Sequence, residues 1–332
     1  MTETKRLSNS EVSLFKRCRR QWWLAYYRRL GRPEPDYGKP TGLGTRVHNA
    51  LAELYKPGEA VTTESVLDFM RKEIDRDIER HPSYEDTIRK DGTLALVMME
   101  GYLQWLEEEG LDQDLILVAP EEAVEVPLDD EEVNRAAHAA GLAGVNIISK
   151  LDVRVQKESD RSRWNLEHKT VQSLTQPVPL LQTDAQLLTE HLVEFLKLLE
   201  EGHADQRADG VLYNMLRKVK RTANAKPPFY GREEVRHNLE ELRAHWRQTR
   251  FWALQILDAT RQLNEGVHHQ DVVPPSRSRD CTWQCPFAQV CLAGLFDDGS
   301  DVEGALADLY TEVDPLQRYS RDTEESDAEG GK

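Results

Sequence analysis

No run of about 18 apolar residues occurs in the 332-residue chain, which excludes a conventional membrane-spanning helix. The first residues, MTETKRLSNSEVS, lack the apolar core of a secretory signal, so a cytoplasmic protein with no membrane partner is expected. Cysteine is scarce: Cys18, Cys281, Cys285 and Cys291 are the whole complement. Four thiols in a cytosolic chain do not make a disulfide scaffold. No internal repeat is present, so the chain is not a stacked array.

Charge is plentiful. Charged residues make up 31% and hydrophobic residues 39%, enough to bury a core in one large or two medium domains. The net charge of −16 argues superficially against nucleic acid, but its distribution matters more. Residues 296–332 carry 12 acids against 3 bases, leaving only −7 for the rest of the chain. Lys16 to Arg32 holds seven Lys/Arg and no acid. Arg217, Lys218, Lys220, Arg221 and Lys226 form a second basic cluster. Phosphates meet local patches, not the global sum.

Ser8-Asn9-Ser10-Glu11 reads as a capping box opening a helix to about Leu30, with Leu14, Cys18, Trp22 and Tyr26 along one stripe and Gly31 as the stop. A Pro/Gly loop follows over residues 32–40. Gly42 to Tyr55 reads as a second helix with His48, Leu51, Ala52 and Tyr55 on one face. Further helices are expected over Thr63–Arg80 and Thr93–Glu109, then strands around Leu115–Ala119, Ala123–Pro127 and Val145–Gln156. Thr183 or Asp184 caps a helix to Glu201 whose buried stripe is Leu187, Leu188, Leu192, Phe195 and Leu199, while Gln182, Gln186 and Glu190 share another face. Val211–Leu216 reads as a strand, Glu233 to Leu263 as a long helix, continuous or broken, and Asp301–Tyr310 as a short one. The order predicts an α/β core wrapped in helical insertions.

Leu151 to Lys169, LDVRVQKESDRSRWNLEHK, organises the rest. A four-residue turn at Glu158–Arg161 pairs Lys157 with Ser162, Val155 with Trp164 and Val153 with Leu166, giving an apolar sheet face. The same register sets Asp152 opposite Glu167, with Arg154, Gln156, Asn165 and Lys169 on the other face. Two adjacent carboxylates repel unless a cation lies between them. Two acids with a lysine two residues on suit a divalent metal that activates water; a salt-bridged strand face is the plain alternative.

The remaining candidates each have two readings. Cys281-x3-Cys285-x5-Cys291 with the distant Cys18 suits an iron–sulfur cluster better than a zinc ribbon, against four unrelated buried cysteines. His48 alone reads as a core histidine, and His268-His269 as surface; His191 and His138 have no evident partner. Trp22-Trp23 and Tyr26-Tyr27, beside arginines, either stack on bases or belong to the core.

Together these pieces resemble the RecB-like branch of the PD-(D/E)xK nuclease superfamily, and most closely the iron–sulfur exonucleases of CRISPR systems and bacteriophages. The segments that carry the likeness are LSNSEVSLFKRCRRQWWLAYY, LGTRVHNAL, KLDVRV, LEHKT, TDAQLLTE and CTWQCPFAQVC. The resemblance implies a restriction-endonuclease-like α/β core with a small mixed sheet, helical insertions and a 4Fe–4S cluster joining N- and C-terminal segments through Cys18, Cys281, Cys285 and Cys291. It implies a nuclease domain over residues 1–295, helical over 1–110, with the cysteines at 281–291; composition alone marks 296–332 as an acidic tail, with disorder expected from about 320. His48, Asp152, Glu167 and the His168 carbonyl would ligate Mn²⁺ or Mg²⁺, with Lys169, Glu167, Asp152 and Gln186 as catalytic residues. Imidazole favours manganese somewhat. Two positions depart from the pattern: Glu190 stands where the glutamine motif has tyrosine, and three residues rather than two separate Cys281 from Cys285. The implied function is a metal-dependent DNA exonuclease acting on single-stranded ends, with a recombination or CRISPR-type protein partner. The rivals are a nuclease-like module that holds DNA or a partner without cutting, and a zinc-stapled regulatory protein.

Overall fold

The computed structural model describes residues 3–33, 40–57, 61–203, 207–222, 224–292, 294, 296 and 301–319. Most of the loop expected over 32–40, and the expected disorder from about 320, lie outside them. The chain folds as two compact units built from interleaved segments: one from residues 36–124 and 150–242, the other from 1–35, 125–149 and 243–332. No helix among the described residues is long and apolar enough to cross a membrane.

The first unit centres on a five-stranded sheet in the order Leu115–Ala119, Val153–Lys157, Arg163–Val171, Ala208–Arg217, Tyr230–Val235. Only Arg163–Val171 and Ala208–Arg217 run parallel; the other pairings are antiparallel, so the sheet is mixed. The helix Ala185–Glu200 lies in sequence between the parallel strands and supplies their crossover. Both faces of the sheet are covered, which explains the nearly continuous apolar run in Ala208–Arg217. Leu216 joins the core formed by Pro40–Leu54, Thr63–Arg80 and Glu85–Glu109 through Val47, Leu51, Met70, Met99 and Tyr102. Val211, Tyr213 and Met215 pack on the other face against Leu181 and Leu187.

The hairpin has the register its apolar residues require: Val153 pairs Leu166 and Val155 pairs Trp164. The Lys157 N–H donates to the Ser162 carbonyl at 2.9 Å, closing the turn. Val153, Val155, Trp164 and Leu166 form one buried cluster. The opposite face is polar and also buried. Arg154 there donates to both oxygens of Glu194 at 2.8 and 3.2 Å, and to Glu122 at 2.9 Å.

This polar face changes the expected stripe of the crossover helix. Leu187 and Leu192 are buried, but Leu188 and Phe195 are only half-buried and Leu199 is 53% exposed. Glu190, His191 and Glu194 point inward instead, because the strands they meet carry Arg154, Asn165 and Glu167.

Other boundaries differ for identifiable reasons. The long helix expected from Glu233 is a strand, Tyr230–Val235, then a helix, Leu239–Asn264. Asn238 caps that helix, its Oδ1 accepting the Glu240 and Glu241 N–H groups at 2.9 and 3.0 Å, while Glu241 accepts the Asn238 N–H at 2.7 Å. The expected strand Val145–Gln156 is divided at Asp152 into Gly144–Leu151 and Val153–Lys157. The helix expected from Thr93 begins earlier, as Glu85–Glu109.

A three-stranded sheet, ordered Thr4–Ser8, Gly144–Leu151, Glu122–Pro127, draws most of its residues from the second unit. Thr4–Ser8 and the helix Glu131–Ala139 were not expected as elements, although the helix carries its own signals, an Asp130 cap and Val133 and Ala137 four residues apart on its buried side. Ser8 caps the first helix by accepting the Glu11 N–H at 3.1 Å. Glu11 does not complete the capping box; it accepts from Trp22 Nε1 at 2.9 Å and pairs with Lys5 at 2.7 Å. The helix then breaks at Cys18, which is extended (φ −157°, ψ 108°), before resuming as Arg19–Trp22 and a π-helical turn, Trp23–Tyr27.

Removing one partner of a buried ion pair strands the other charge. Glu194→Ala should therefore cost about 3 kcal/mol, whereas Glu121→Ala, which breaks the half-exposed Lys150 pair, should cost under about 1 kcal/mol. Urea unfolding midpoints of the two variants check this contrast.

Candidate active site

The break at Asp152 sets its carboxylate beside the adjacent strand, where Oδ2 accepts the His168 N–H at 2.9 Å. Its other oxygen, Oδ1, lies 3.3 Å from Nδ1 of His48, which the helix Pro40–Leu54 delivers to the same place. Glu167 is buried on the polar face of the hairpin and forms an ion pair with Lys169, two residues on and therefore on the same side. Asp184 caps the crossover helix, its Oδ1 accepting the Gln186 N–H at 2.7 Å, and so fixes Gln186 in the first turn. From there Gln186 Nε2 donates to Glu167 Oε1 at 2.8 Å and to Glu190 Oε1 at 2.8 Å, while Gln186 Oε1 accepts from Lys169 Nζ at 3.2 Å. His48, Asp152, Glu167, Lys169 and Gln186 thus meet in one unit.

Their electrostatics are those of crowded, dehydrated acids. Burial raises the pKa of Glu167, and the neighbouring Asp152 charge adds to it; Lys169 offsets part, leaving the group at about 7. Burial also opposes the Asp152 charge, but His48 outweighs it and the group is lowered. Burial disfavours charge on His48, yet Asp152 more than reverses this and raises it. Lys169 is likewise raised: burial lowers it, and Glu167 and then Glu190 overcome that. Glu190 is pushed well above the carboxylate range by burial first and the Glu167 charge second.

The chemistry of this donor set suits a hard divalent cation: an imidazole nitrogen touching a carboxylate, and a second carboxylate whose charge its surroundings oppose. As the side chains stand, Glu167 Oε1 faces Lys169 and Gln186, and His48 and Lys169 supply the compensating charge. Among the described residues no three His, Cys, Asp or Glu side chains are drawn tightly enough together to enclose an ion.

The His168 side chain takes no part in this cluster. It projects through the sheet, stacking on Tyr55 (5.7 Å between ring centres) and meeting the edge of Tyr102. Asn214 Nδ2 lies 3.2 Å from His168 Nδ1 and donates to Tyr102 OH at 2.9 Å. Nδ1 is then the acceptor, and burial lowers the imidazole to about 3, so it stays neutral. Only the main chain of His168 is directed toward the acids.

The four cysteines gather in the other unit. None is in a disulfide. All four line one cavity together with Arg17, Arg20 and Gln284. Burial raises the Cys285 thiol, and the Cys18, Cys281 and Cys291 sulfurs raise it further, as thiols sharing one site must. The Ser276 N–H donates to Cys18 Sγ and the Ser278 N–H to Cys281 Sγ, each at 3.4 Å. The break in the first helix is what turns Cys18 out of the stripe expected for it. Four thiols line the cavity, with backbone N–H groups aimed at two of them; the donor set is that of a cysteine-ligated cluster, but among the described residues no three of the sulfurs are drawn tightly enough together to enclose an ion.

Several other candidates belong to the framework. Trp22 is buried against Phe15, edge to face at 5.0 Å, and Trp23 is buried and stacks on His269 at 4.7 Å, so neither is a base-stacking platform. His268 is exposed, and His269 is half-buried against Trp23, where burial lowers it to about 4. His191 has a partner, His237, with Nδ1 atoms 3.3 Å apart. Of the basic stretches, Arg20 is buried and donates to the Val273 carbonyl at 3.0 Å, and Arg28 pairs with Glu303 at 2.7 Å. Lys16, Arg17, Arg29, Lys220 and Lys226 remain exposed. One site residue was given no role: Glu190 shares a helix face with Gln186 by its (i, i+4) spacing, which places it one turn further into the site.

No curated protein matches the chain. The family profile for the PD-(D/E)XK nuclease superfamily matches it over residues 6–292. That span takes in the Asp152 break, the Glu167-x-Lys169 strand and all four cysteines, and the chain belongs to the PD-(D/E)XK nuclease superfamily.

Proposed function

We propose that the protein is a metal-dependent deoxyribonuclease of the RecB-like, iron–sulfur type, acting as an exonuclease on single-stranded DNA ends. The observation that carries this reading is the meeting of His48, Asp152 and the Glu167-x-Lys169 pair beside Gln186. His48, Asp152, Glu167 and the His168 carbonyl would hold Mn²⁺ or Mg²⁺. Such an ion supplies Lewis-acid polarisation of the scissile phosphodiester and acidity to the attacking water. Lys169, protonated at any working pH, holds that water and offsets the charge that grows on the phosphate oxygens. Gln186 keeps the ammonium aimed, since its carbonyl oxygen is a fixed acceptor. The exposed Lys16, Arg17, Arg29, Lys220 and Lys226 supply phosphate contacts that do not depend on sequence. Cys18, Cys281, Cys285 and Cys291 would carry a 4Fe–4S cluster that fastens the first helix to the Cys281–Cys291 loop, a structural role. The exposed basic residues and the nuclease fold also suit a DNA-processing partner in recombination or CRISPR-type reactions.

Lys169→Ala should lower Mn²⁺-dependent cleavage by at least about 100-fold in protein that is still folded at the assay temperature. The assay uses single strands labelled separately at the 5′ and 3′ ends, and a ladder shrinking from one end reports exonuclease action and its polarity. Undiminished cleavage rejects the role of Lys169. Protein purified without oxygen should be brown and contain about four iron and four sulfide, both lost in Cys18→Ser. A colourless preparation with stoichiometric zinc rejects the cluster.

A further inference from the structure

Glu190 is the one ionisable side chain at this site to which the proposed mechanism gives no work. It is fully buried in the crossover helix, one turn after Gln186. Its backbone carbonyl accepts from Asn165 Nδ2 at 3.0 Å, which ties this turn of the helix to the strand carrying Glu167. Its Oε1 accepts from Gln186, and its Oε2 has no hydrogen-bond partner. A buried carboxylate with an unpartnered oxygen weakens a fold, and an apolar side chain of the same size would not. Such a residue is best explained by what it does to its neighbours.

The geometry of the Gln186 amide shows what that is. Nε2 has two protons, and two carboxylates accept them, Glu167 Oε1 and Glu190 Oε1, each at 2.8 Å. With both protons committed, only the carbonyl oxygen is left to face Lys169. The flipped amide would set its N–H groups against the Lys169 ammonium and would take the donor away from Glu167 Oε1 and Glu190 Oε1, so one orientation is selected. A tyrosine, whose hydroxyl both donates and accepts, would not impose this choice.

We infer that Glu190 is a positioning residue: it locks the Gln186 amide so that the Gln186 carbonyl oxygen fixes the Lys169 ammonium beside Glu167. This deepens the nuclease reading and rests on it for the role of Lys169.

Two variants separate the lock from bulk and fold. Glu190→Gln keeps an acceptor oxygen, and Glu190→Met fills the same space without one. In protein labelled with ¹⁵N-glutamine, the Gln186 side-chain signal is identified by its loss in Gln186→Ala. Its amide protons should exchange with solvent at least about tenfold faster in Glu190→Met than in wild type or Glu190→Gln. Unchanged exchange in Glu190→Met overturns the inference, and this arm needs no catalysis. In the cleavage assay, Glu190→Met should lower kcat about tenfold with KM for DNA within about twofold, and Glu190→Gln should recover most of the loss. Glu190→Met should have no added effect in a Gln186→Ala background; additive losses overturn the inference. A wild type that cleaves no DNA defeats the nuclease reading, while the exchange measurement still decides the lock.

Discussion

Two carboxylates, Asp152 and Glu167, are held close together and largely out of water by the register of one hairpin. Like charges in a poorly solvated place demand compensation. The surroundings supply it from three directions. The helix Pro40–Leu54 brings an imidazole to Asp152, the Glu167 strand brings Lys169, and the crossover helix brings an amide with both protons donated to acids. The placement of each element follows from that need. Asp152 interrupts its strand so that its carboxylate can reach the neighbouring main chain, and Asp184 caps the helix at the turn where Gln186 must stand.

The hairpin was legible in the sequence because parity leaves it no choice: only one register buries Val153, Val155, Trp164 and Leu166 together. That register alone placed Glu167 and Lys169 on the face opposite the apolar cluster. His48 had no comparable signal. A single histidine on an apolar helix face is compatible with any core, and only the likeness to known nucleases singled it out. The crossover helix was misread for a physical reason. Leucine periodicity finds the inward face only when that face meets apolar residues, and here it meets Arg154, Asn165 and Glu167. Leu199 therefore faces solvent and Glu194 does not.

The other misreadings share a cause. The edge strand Tyr230–Val235 exposes Glu233 and Glu234, so its composition looks helical; its end was written in the Asn238–Glu241 capping box. The spacing Leu14-Cys18-Trp22 continues a helical stripe that the backbone abandons at Cys18. In each case a demand from residues distant in sequence prevailed over the local pattern, through strand pairing for Tyr230–Val235 and through the Cys281–Cys291 segment for Cys18.

The three-segment make-up of the cysteine-bearing unit has a consequence for biosynthesis. Thr4–Ser8 pairs with Gly144–Leu151, Arg20 bonds to Val273, and Cys18 shares its cavity with Cys291. The last two join residues 253 or more positions apart, so they cannot form on the ribosome until most of the polypeptide has emerged. The hairpin, its crossover helix and the edge strand are all made earlier. The nascent chain therefore carries its acidic residues and their neighbours while Trp23 and the thiol of Cys18 still wait for their partners. During that interval the early segment is the part most exposed to chaperones, oxidation and stray metal.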